Sequence, residues 1–144
     1  MRKIFVDSKQ QMIDLAQELA ASAAVGDIIF LNATLGAGKT FFAQNFINFL
    51  QEEKTQVLSP TFNLVYSYQT KKGEVFHFDL YRLKSADELE NIGFFDAIKD
   101  GICLIEWPDF AKKFVKNYTE IQIKIAAGGN DEAREVAIVK FHEN

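Results

Sequence analysis

One stretch, from Phe30 to Phe42, constrains the fold of this chain more than any other. It reads FLNATLGAGKTFF, with an apolar run before two closely spaced glycines and a Lys-Thr pair directly after them. The spacing from Ala33 to Thr40 fits a phosphate-binding loop between a strand and a helix. The stretch therefore predicts a nucleotide site inside an α/β domain.

The residue types of this loop suit the chemistry of phosphate binding. Gly36 and Gly38 allow the backbone to turn several amide hydrogens toward phosphate oxygens at once. Lys39 is placed to reach the terminal phosphates, and Thr40 to offer its hydroxyl to magnesium. The strict pattern opens with glycine where this chain has Ala33, so we expect a backbone conformation there that a methyl group tolerates.

A chance glycine turn is the alternative interpretation of the same residues. It is weakened by the flanking sequence, since Ile28 to Leu31 is a continuous apolar run typical of a buried parallel strand. Phe41 to Leu50 then carries apolar residues at helical spacing. Strand, glycine loop and helix thus follow in the order that phosphate binding requires.

Composition limits the class of protein. The 144 residues suit a single domain, 1–144, and a net charge of -4 does not favour direct gripping of a nucleic-acid backbone. The one cysteine, Cys103, lies in an apolar run and is interpreted as a reduced core thiol. The first residues lack the apolar run of a signal peptide, and no run is long enough for a membrane helix. We therefore expect a soluble, cytoplasmic protein.

The remaining sequence alternates between helix and strand patterns. Ser8 and Gln11 have capping-box spacing before an apolar helical stripe that Gly26 is expected to end. Strands are predicted at Lys3 to Val6, Ile28 to Leu31, Phe62 to Tyr68, Glu74 to Tyr81, Ile102 to Ile105, Ile121 to Ile125 and Val136 to Phe141. Short helices are predicted at Ser85 to Glu90 and at Pro108 to Val115. Glycine turns predict two hairpins, the second at the sheet margin. The pattern predicts a three-layer, P-loop NTPase-like α/β domain with a mixed, partly parallel sheet.

Two carboxylates stand out as partners for the loop. Glu106 ends a hydrophobic strand, the position where P-loop proteins hold magnesium directly or through water. Asp79 ends another strand and is placed to orient an attacking water or a metal-bound water. Period-two alternation puts His77 on the same strand face as Asp79, where we interpret it as a hydrogen-bonded structural histidine.

Arginine is scarce, which bears on phosphoryl transfer. The chain has only three, and Arg82 is either a second cation for the site beside Lys39 or a surface ion-pairing residue. Slow hydrolysis completed by a partner fits this scarcity better than a small-molecule kinase, which needs several cations over the transferred phosphate. Trp107 is open to two interpretations, core packing or a partner surface.

With these residues assembled, the chain resembles the TsaE family of small bacterial ATPases, which take part in tRNA threonylcarbamoyladenosine biosynthesis. The resemblance rests on five ordered motifs across nearly the whole chain. They are LGAGKT at Leu35 to Thr40, SPTF at Ser59 to Phe62, HFDLYRL at His77 to Leu83, ELENIGFFD at Glu88 to Asp96, and ICLIEWP at Ile102 to Pro108.

The resemblance implies an ATP and Mg²⁺ site with assigned residues. Asp79 supports hydrolysis with Lys39, and Thr40 and Glu106 serve the metal. Ser8 approaches the adenine, and Ser59 to Phe62 forms a switch-like segment. The nucleotide is held by Leu35, Gly36, Ala37, Gly38, Lys39, Thr40 and Phe41. Ala33-Thr34 departs from the family's usual Gly-Asp, which bears on nucleotide affinity.

The resemblance also implies partners. They are TsaB and TsaD, the pair that transfers the threonylcarbamoyl group, so tRNA is reached only through the complex. A small-molecule P-loop kinase and a non-catalytic nucleotide-gated binding module remain as alternatives. A GTPase is disfavoured because the chain has no Asn-Lys-x-Asp sequence for reading guanine.

Overall fold

In this computed structural model, which describes residues 1–34, 36–53, 55–60 and 63–143, strands and helices alternate along the chain. The described helices are α1 (Lys9–Ser22), α2 (Lys39–Leu50), α3 (Glu88–Asn91) and α4 (Phe94–Asp100). Two 3-10 turns, Pro108–Phe110 and Lys112–Phe114, come before the last two strands. The described strands are β1 (Arg2–Val6), β2 (Ile28–Ala33), β3 (Val65–Thr70), β4 (Gly73–Asp79), β5 (Ile102–Glu106), β6 (Tyr118–Ile125) and β7 (Arg134–Phe141).

The strands form one sheet in the order β1-β7-β6-β2-β5-β4-β3. Its centre is parallel, because β2 pairs with both β5 and β6 and β4 pairs with β5 in that direction. The outer pairs, β1 with β7, β6 with β7 and β3 with β4, are antiparallel. The predicted mixed, partly parallel sheet is confirmed.

Helices cover both faces of the sheet, which makes the three predicted layers. The central strands are apolar on both sides because alternate side chains enter two separate cores. The core under α1 and α2 includes Leu31, Phe42, Phe46, Leu104 and Ile121. The core under α3 and α4 includes Phe30, Phe78, Leu89, Phe94 and Ile105.

The first helix begins as its capping residues predict and ends earlier than expected. The Ser8 hydroxyl accepts the Gln11 amide hydrogen at 3.1 Å, and the Gln11 side chain accepts that of Asp7 at 2.8 Å. The helix stops at Ser22, whereas Gly26, with a φ of 96°, lies in the turn that follows. Lys72 binds the end of this helix from the β3–β4 turn.

The first hairpin differs from its prediction at three points. β3 begins at Val65 rather than at Phe62, which lies outside the described residues, and Leu64 before it has a φ of 67°. β4 ends at Asp79 rather than at Tyr81, because the Asp79 carboxylate accepts the Tyr81 amide hydrogen at 3.0 Å and turns the chain. The connection is two residues long, since Thr70 pairs with Gly73.

Two further expectations are corrected. The β6–β7 hairpin is not at the sheet margin, because β1 pairs with the outer side of β7 and forms the edge of the sheet. The sequence predicts one short helix from Ser85 to Glu90, whereas the structure has α3 beginning at Glu88 and a second helix, α4, after it. Gly93 lies between them with a φ of 77°, a conformation that ends one helix and redirects the chain into the next.

Two other expectations concern the thiol and the membrane. Cys103 is buried, and burial raises the pKa of its thiol to about 12, so the group stays protonated at neutral pH. The core-thiol interpretation is confirmed.

None of the helices in the described ranges is long and apolar enough to span a membrane. The single domain stays a prediction.

We expect Lys72→Met to lower the free energy of unfolding by about 1 to 2 kcal/mol. The Lys72 ammonium donates to the carbonyls of Ala20, Ala21 and Ala23 at 3.2, 2.5 and 2.7 Å, which satisfies and neutralises the end of α1. Urea unfolding measures the change. Lys71→Met in the same turn is the matched control, since the Lys71 ammonium lies 5.9 Å from the Phe49 ring centroid and should change stability by under about 0.5 kcal/mol. Equal losses in both variants would contradict the account.

Candidate functional site: a phosphate-binding loop at the end of the parallel strands

The glycine loop connects β2 to α2 with the backbone geometry that the sequence predicts. Ala33 remains in β2, paired with Ile123, so its methyl group occupies an ordinary strand position. Gly36 and Gly38 have φ values of 81° and 106°, a region that favours glycine. The predicted nucleotide-binding residue Leu35 lies outside the described residues.

The residue that caps α2 is a glycine rather than a polar side chain. Gly38 precedes the helix, so its N-cap position carries no side-chain oxygen for the first amides. The first amides of any α-helix lack partners within the helix, and the helix dipole adds positive potential at that end. The loop therefore has the two properties that phosphate binding at a helix N-terminus requires.

The parallel register brings both predicted carboxylates to this helix end. Asp79 and Glu106 are direct neighbours in the β4–β5 pairing. They are 4% and 1% exposed, and the Glu106 carbonyl accepts the Leu80 amide hydrogen at 3.0 Å, which keeps the two strand ends together. A cavity of about 450 Å³ opens between the strand ends and the loop, lined by Gly36, Gly38, Lys39, Thr40, Phe41, Asp79, Tyr81, Glu106 and Trp107.

Glu106 links the loop helix to the sheet through hydrogen bonds. The Thr40 hydroxyl lies 3.1 Å from Glu106 Oε1 and 3.4 Å from Oε2. On the other side, His77 Nε2 lies 2.5 Å from Glu106 Oε2. The histidine is therefore hydrogen-bonded, as predicted, but its partner is the candidate metal ligand.

The donor atoms fit a magnesium ion better than a softer metal. Thr40 and Glu106 offer a hydroxyl and a carboxylate oxygen within 3.1 Å of each other, and oxygen is the ligand that Mg²⁺ prefers. Within residues 1–34, 36–53, 55–60 and 63–143, no group of three or more His, Cys, Asp or Glu residues could hold a metal. Two protein oxygens suit an ion that is also bound by phosphate and water.

Lys39 lines the same cavity. The residue is only 8% exposed, and its ammonium lies 4.5 Å from the centroid of the Trp107 ring. The Trp107 ring in turn packs against the Tyr81 ring, at a centroid distance of 4.8 Å. Trp107 has a φ of 56°, so the chain turns sharply after Glu106 and brings the indole over the lysine. The aromatic contact holds the cation beside the cavity.

A second cavity of about 390 Å³ lies on the other side of the loop. It shares Gly38 and Phe41 with the first and is lined by Ser8, Lys9, Met12, Ala37, Gly38, Phe41, Asp131, Glu132 and Arg134. The structure thus brings Ser8 beside the glycine loop. Its predicted contact with adenine stays a prediction.

Arg134 joins the β6–β7 hairpin to the loop, a role that sequence analysis missed. Its Nε donates to the Ala37 carbonyl at 2.9 Å. Its terminal nitrogen donates to the carbonyls of Asp131 and Ala133 at 2.8 and 2.9 Å. No local sequence signal marks this residue, because the contact spans 97 positions in the chain.

The structure therefore brings the described site residues together, apart from Arg82, the candidate second cation. The loop residues Gly36, Gly38, Lys39, Thr40 and Phe41 meet Asp79 and Glu106 at one cavity, and Ala37 lines the adjoining one with Ser8. Arg82 is exposed and does not line either cavity. Thr61 and Phe62, half of the predicted switch-like segment, lie outside the described residues.

Comparison with known proteins decides the family. A family model described as "Threonylcarbamoyl adenosine biosynthesis protein TsaE" matches residues 6–136. The chain belongs to the TsaE family. The resemblance predicted from the five motifs is therefore confirmed.

Individual TsaE relatives match most of this chain. The tRNA threonylcarbamoyladenosine biosynthesis protein TsaE of Rickettsia felis is 41% identical over 109 residues, which are 76% of this chain. Those residues are 64% of the R. felis protein, so this chain spans less than two thirds of its length. The TsaE protein of Rickettsia prowazekii is 36% identical over 121 residues, 83% of this chain and 84% of the relative.

A solved structure supports the fold. The crystal structure of Bacillus subtilis YdiB aligns with a TM-score of 0.73 and 28% sequence identity. The alignment covers 99% of this chain and 86% of YdiB. The P-loop NTPase-like α/β fold predicted from the sequence is confirmed.

Replacing Arg134 should weaken nucleotide binding with little loss of stability. In Arg134→Lys a single ammonium cannot reach the three carbonyls that the guanidinium joins, so the loop is less fixed. We expect the ADP dissociation constant, measured by isothermal titration calorimetry, to rise about ten-fold, or about 1.4 kcal/mol. Arg2→Lys is the matched control, since Arg2 binds Glu18 on the surface away from the loop. Unchanged affinity in Arg134→Lys would refute the role of this contact.

Proposed function

We propose that this chain is a magnesium-dependent ATPase acting in the formation of threonylcarbamoyladenosine in tRNA. One observation carries the enzymatic part of the proposal: the loop, a cation and two buried carboxylates converge on one cavity. Lys39, Thr40, Asp79 and Glu106 all line it. Membership of the TsaE family supports the role in tRNA modification.

The two adjoining cavities suit the two halves of ATP. The phosphates bind at the N-terminus of α2, where the loop amides and Lys39 neutralise their charge. The adenosine lies in the smaller cavity, where Met12 and Phe41 provide apolar surface and Ser8 a polar contact. Gly38 and Phe41, shared by both cavities, mark the point where the ligand passes from one to the other.

Thr40 and Glu106 would hold magnesium, Glu106 directly or through water. When bound, Mg²⁺ would neutralise charge on the phosphate oxygens of ATP. Asp79 orients a water molecule, whose oxygen forms a bond to the γ-phosphorus while the bond to the β-γ bridging oxygen breaks. The products are ADP, inorganic phosphate and a proton. Because the Tyr81 backbone amide donates to Asp79 Oδ1 at 3.0 Å, this carboxylate is held in one orientation.

Partner proteins complete the reaction. The cavity has Lys39 as its cation among the described lining residues, whereas phosphoryl transfer is accelerated when an arginine also contacts the transferred phosphate. We propose that TsaB and TsaD supply the missing stabilisation and couple hydrolysis to their transfer reaction. The chain then reaches tRNA only through this complex, in the cytoplasm.

The test is ATP hydrolysis by the purified chain, alone and with TsaB and TsaD. We expect slow hydrolysis alone, stimulation of at least about ten-fold by the partners, and loss of at least about 100-fold in Lys39→Met and Glu106→Gln. The first substitution removes the phosphate-binding cation, and the second removes the metal-binding charge. Phosphate release in the presence and absence of Mg²⁺ measures each rate.

Glu120→Gln is the matched control for the carboxylate. Glu120 is also buried, but it binds Lys112 at 2.8 Å on the other side of the sheet. Its replacement should leave hydrolysis within about two-fold of the wild-type rate. Hydrolysis that survives in Lys39→Met, or that TsaB and TsaD do not change, would contradict the proposed ATPase.

A further inference from the structure

His77 is fully buried in the sheet, at 0% exposure. It shares a face of β4 with Val75 and Asp79, the face that α2 covers. Its neighbours in register are Tyr66 of β3 and Leu104 of β5. The proposed hydrolysis, as described above, gives this side chain no part.

The shortest contacts of the two Glu106 carboxylate oxygens go to different partners, although the Thr40 hydroxyl also lies 3.4 Å from Oε2. Oε2 lies 2.5 Å from His77 Nε2, and Oε1 lies 3.1 Å from the Thr40 hydroxyl. A glutamate side chain has three rotatable bonds, so a donor fixed in the sheet limits where its carboxylate points. His77 is such a donor, because β4 and β5 are joined by backbone hydrogen bonds at this level.

The second ring nitrogen of His77, Nδ1, indicates that core packing alone does not explain why a histidine occupies this position. His77 Nδ1 is buried, and the described part of the chain offers it no hydrogen-bond partner. A buried polar group without a partner destabilises the folded state, whereas an apolar side chain of similar size avoids that cost. Stability alone thus disfavours histidine here, and its contact with Glu106 is the interaction that justifies it.

We propose that His77 is a positioning residue for the metal-binding carboxylate. With its proton on Nε2, the ring donates to Glu106 Oε2 and keeps Oε1 turned toward Thr40 and the metal. The inference rests on the proposed magnesium-dependent function. It predicts that His77 affects the use of Mg²⁺ rather than the affinity of the loop for phosphate, since partners behind a metal ligand typically change metal affinity 10- to 100-fold.

The test compares two substitutions of similar length. His77→Gln keeps an N–H donor near the position of Nε2, and His77→Met has none. ADP binding is measured by isothermal titration calorimetry in EDTA and over a range of Mg²⁺ concentrations. We expect His77→Met to raise the Mg²⁺ concentration for half-maximal effect about ten-fold and His77→Gln by under about three-fold. ADP affinity in EDTA should be unchanged in both.

Controls separate positioning from stability. Val75→Ala removes buried methyl groups from the same face of the same strand without contacting Glu106, so it should lower the unfolding temperature and leave the Mg²⁺ requirement unchanged. If His77→Met does not fold, His77→Asn replaces it, because its amide is one methylene too short to reach Glu106. The His77→Asn variant should show the same ten-fold rise in the Mg²⁺ concentration for half-maximal effect.

Three outcomes would overturn the inference. They are a wild-type Mg²⁺ requirement in His77→Met or His77→Asn, an equal rise in His77→Gln, and an equal rise in Val75→Ala. Failure of the proposed function is seen separately, as ADP binding to the wild-type chain that does not respond to Mg²⁺ at all. That result would reject both the magnesium-dependent ATPase and the positioning role.

Discussion

The hydrogen bond between Thr40 and Glu106 is the contact on which the arrangement of the site depends. It joins the first turn of α2, where the phosphate-binding loop ends, to the carboxyl end of β5. Each group is the kind of oxygen ligand that magnesium prefers, and His77 holds the carboxylate from the opposite side. The Glu106 carboxylate therefore connects α2, which follows the loop, to the neighbouring strands β4 and β5.

The sheet topology explains why these groups meet. β2, β4 and β5 run parallel, so their carboxyl ends lie at one edge, and the loop after β2 lies beside Asp79 and Glu106. The antiparallel strands add a second support, since Arg134 at the start of β7 binds the Ala37 carbonyl. The loop is thus fixed both from the central strands and from the hairpin beside them.

Much of this site is predictable from sequence because it is local. The loop spacing, the positive φ of Gly36 and Gly38 and the carboxylates at the ends of strands follow from neighbouring residues. The contacts of His77 and Arg134 do not, because they depend on register and on residues 29 and 97 positions away. The edge position of β1 has the same cause, since strand order is set by pairing and not by the pattern of any one strand. The helix α4 was missed because it follows Gly93 directly and is only seven residues long, so its apolar residues span too few turns to establish a helical period.

A crystal structure of the chain with Mg²⁺ and a non-hydrolysable ATP analogue would show whether the cavity at the loop binds both. We expect phosphates against the loop amides and Mg²⁺ at about 2.0 to 2.1 Å from the Thr40 hydroxyl oxygen, bound to Glu106 directly or through one water. His77 Nε2 should remain hydrogen-bonded to Glu106. A nucleotide bound outside the loop cavity, or a metal held without both Thr40 and Glu106, would contradict this expectation.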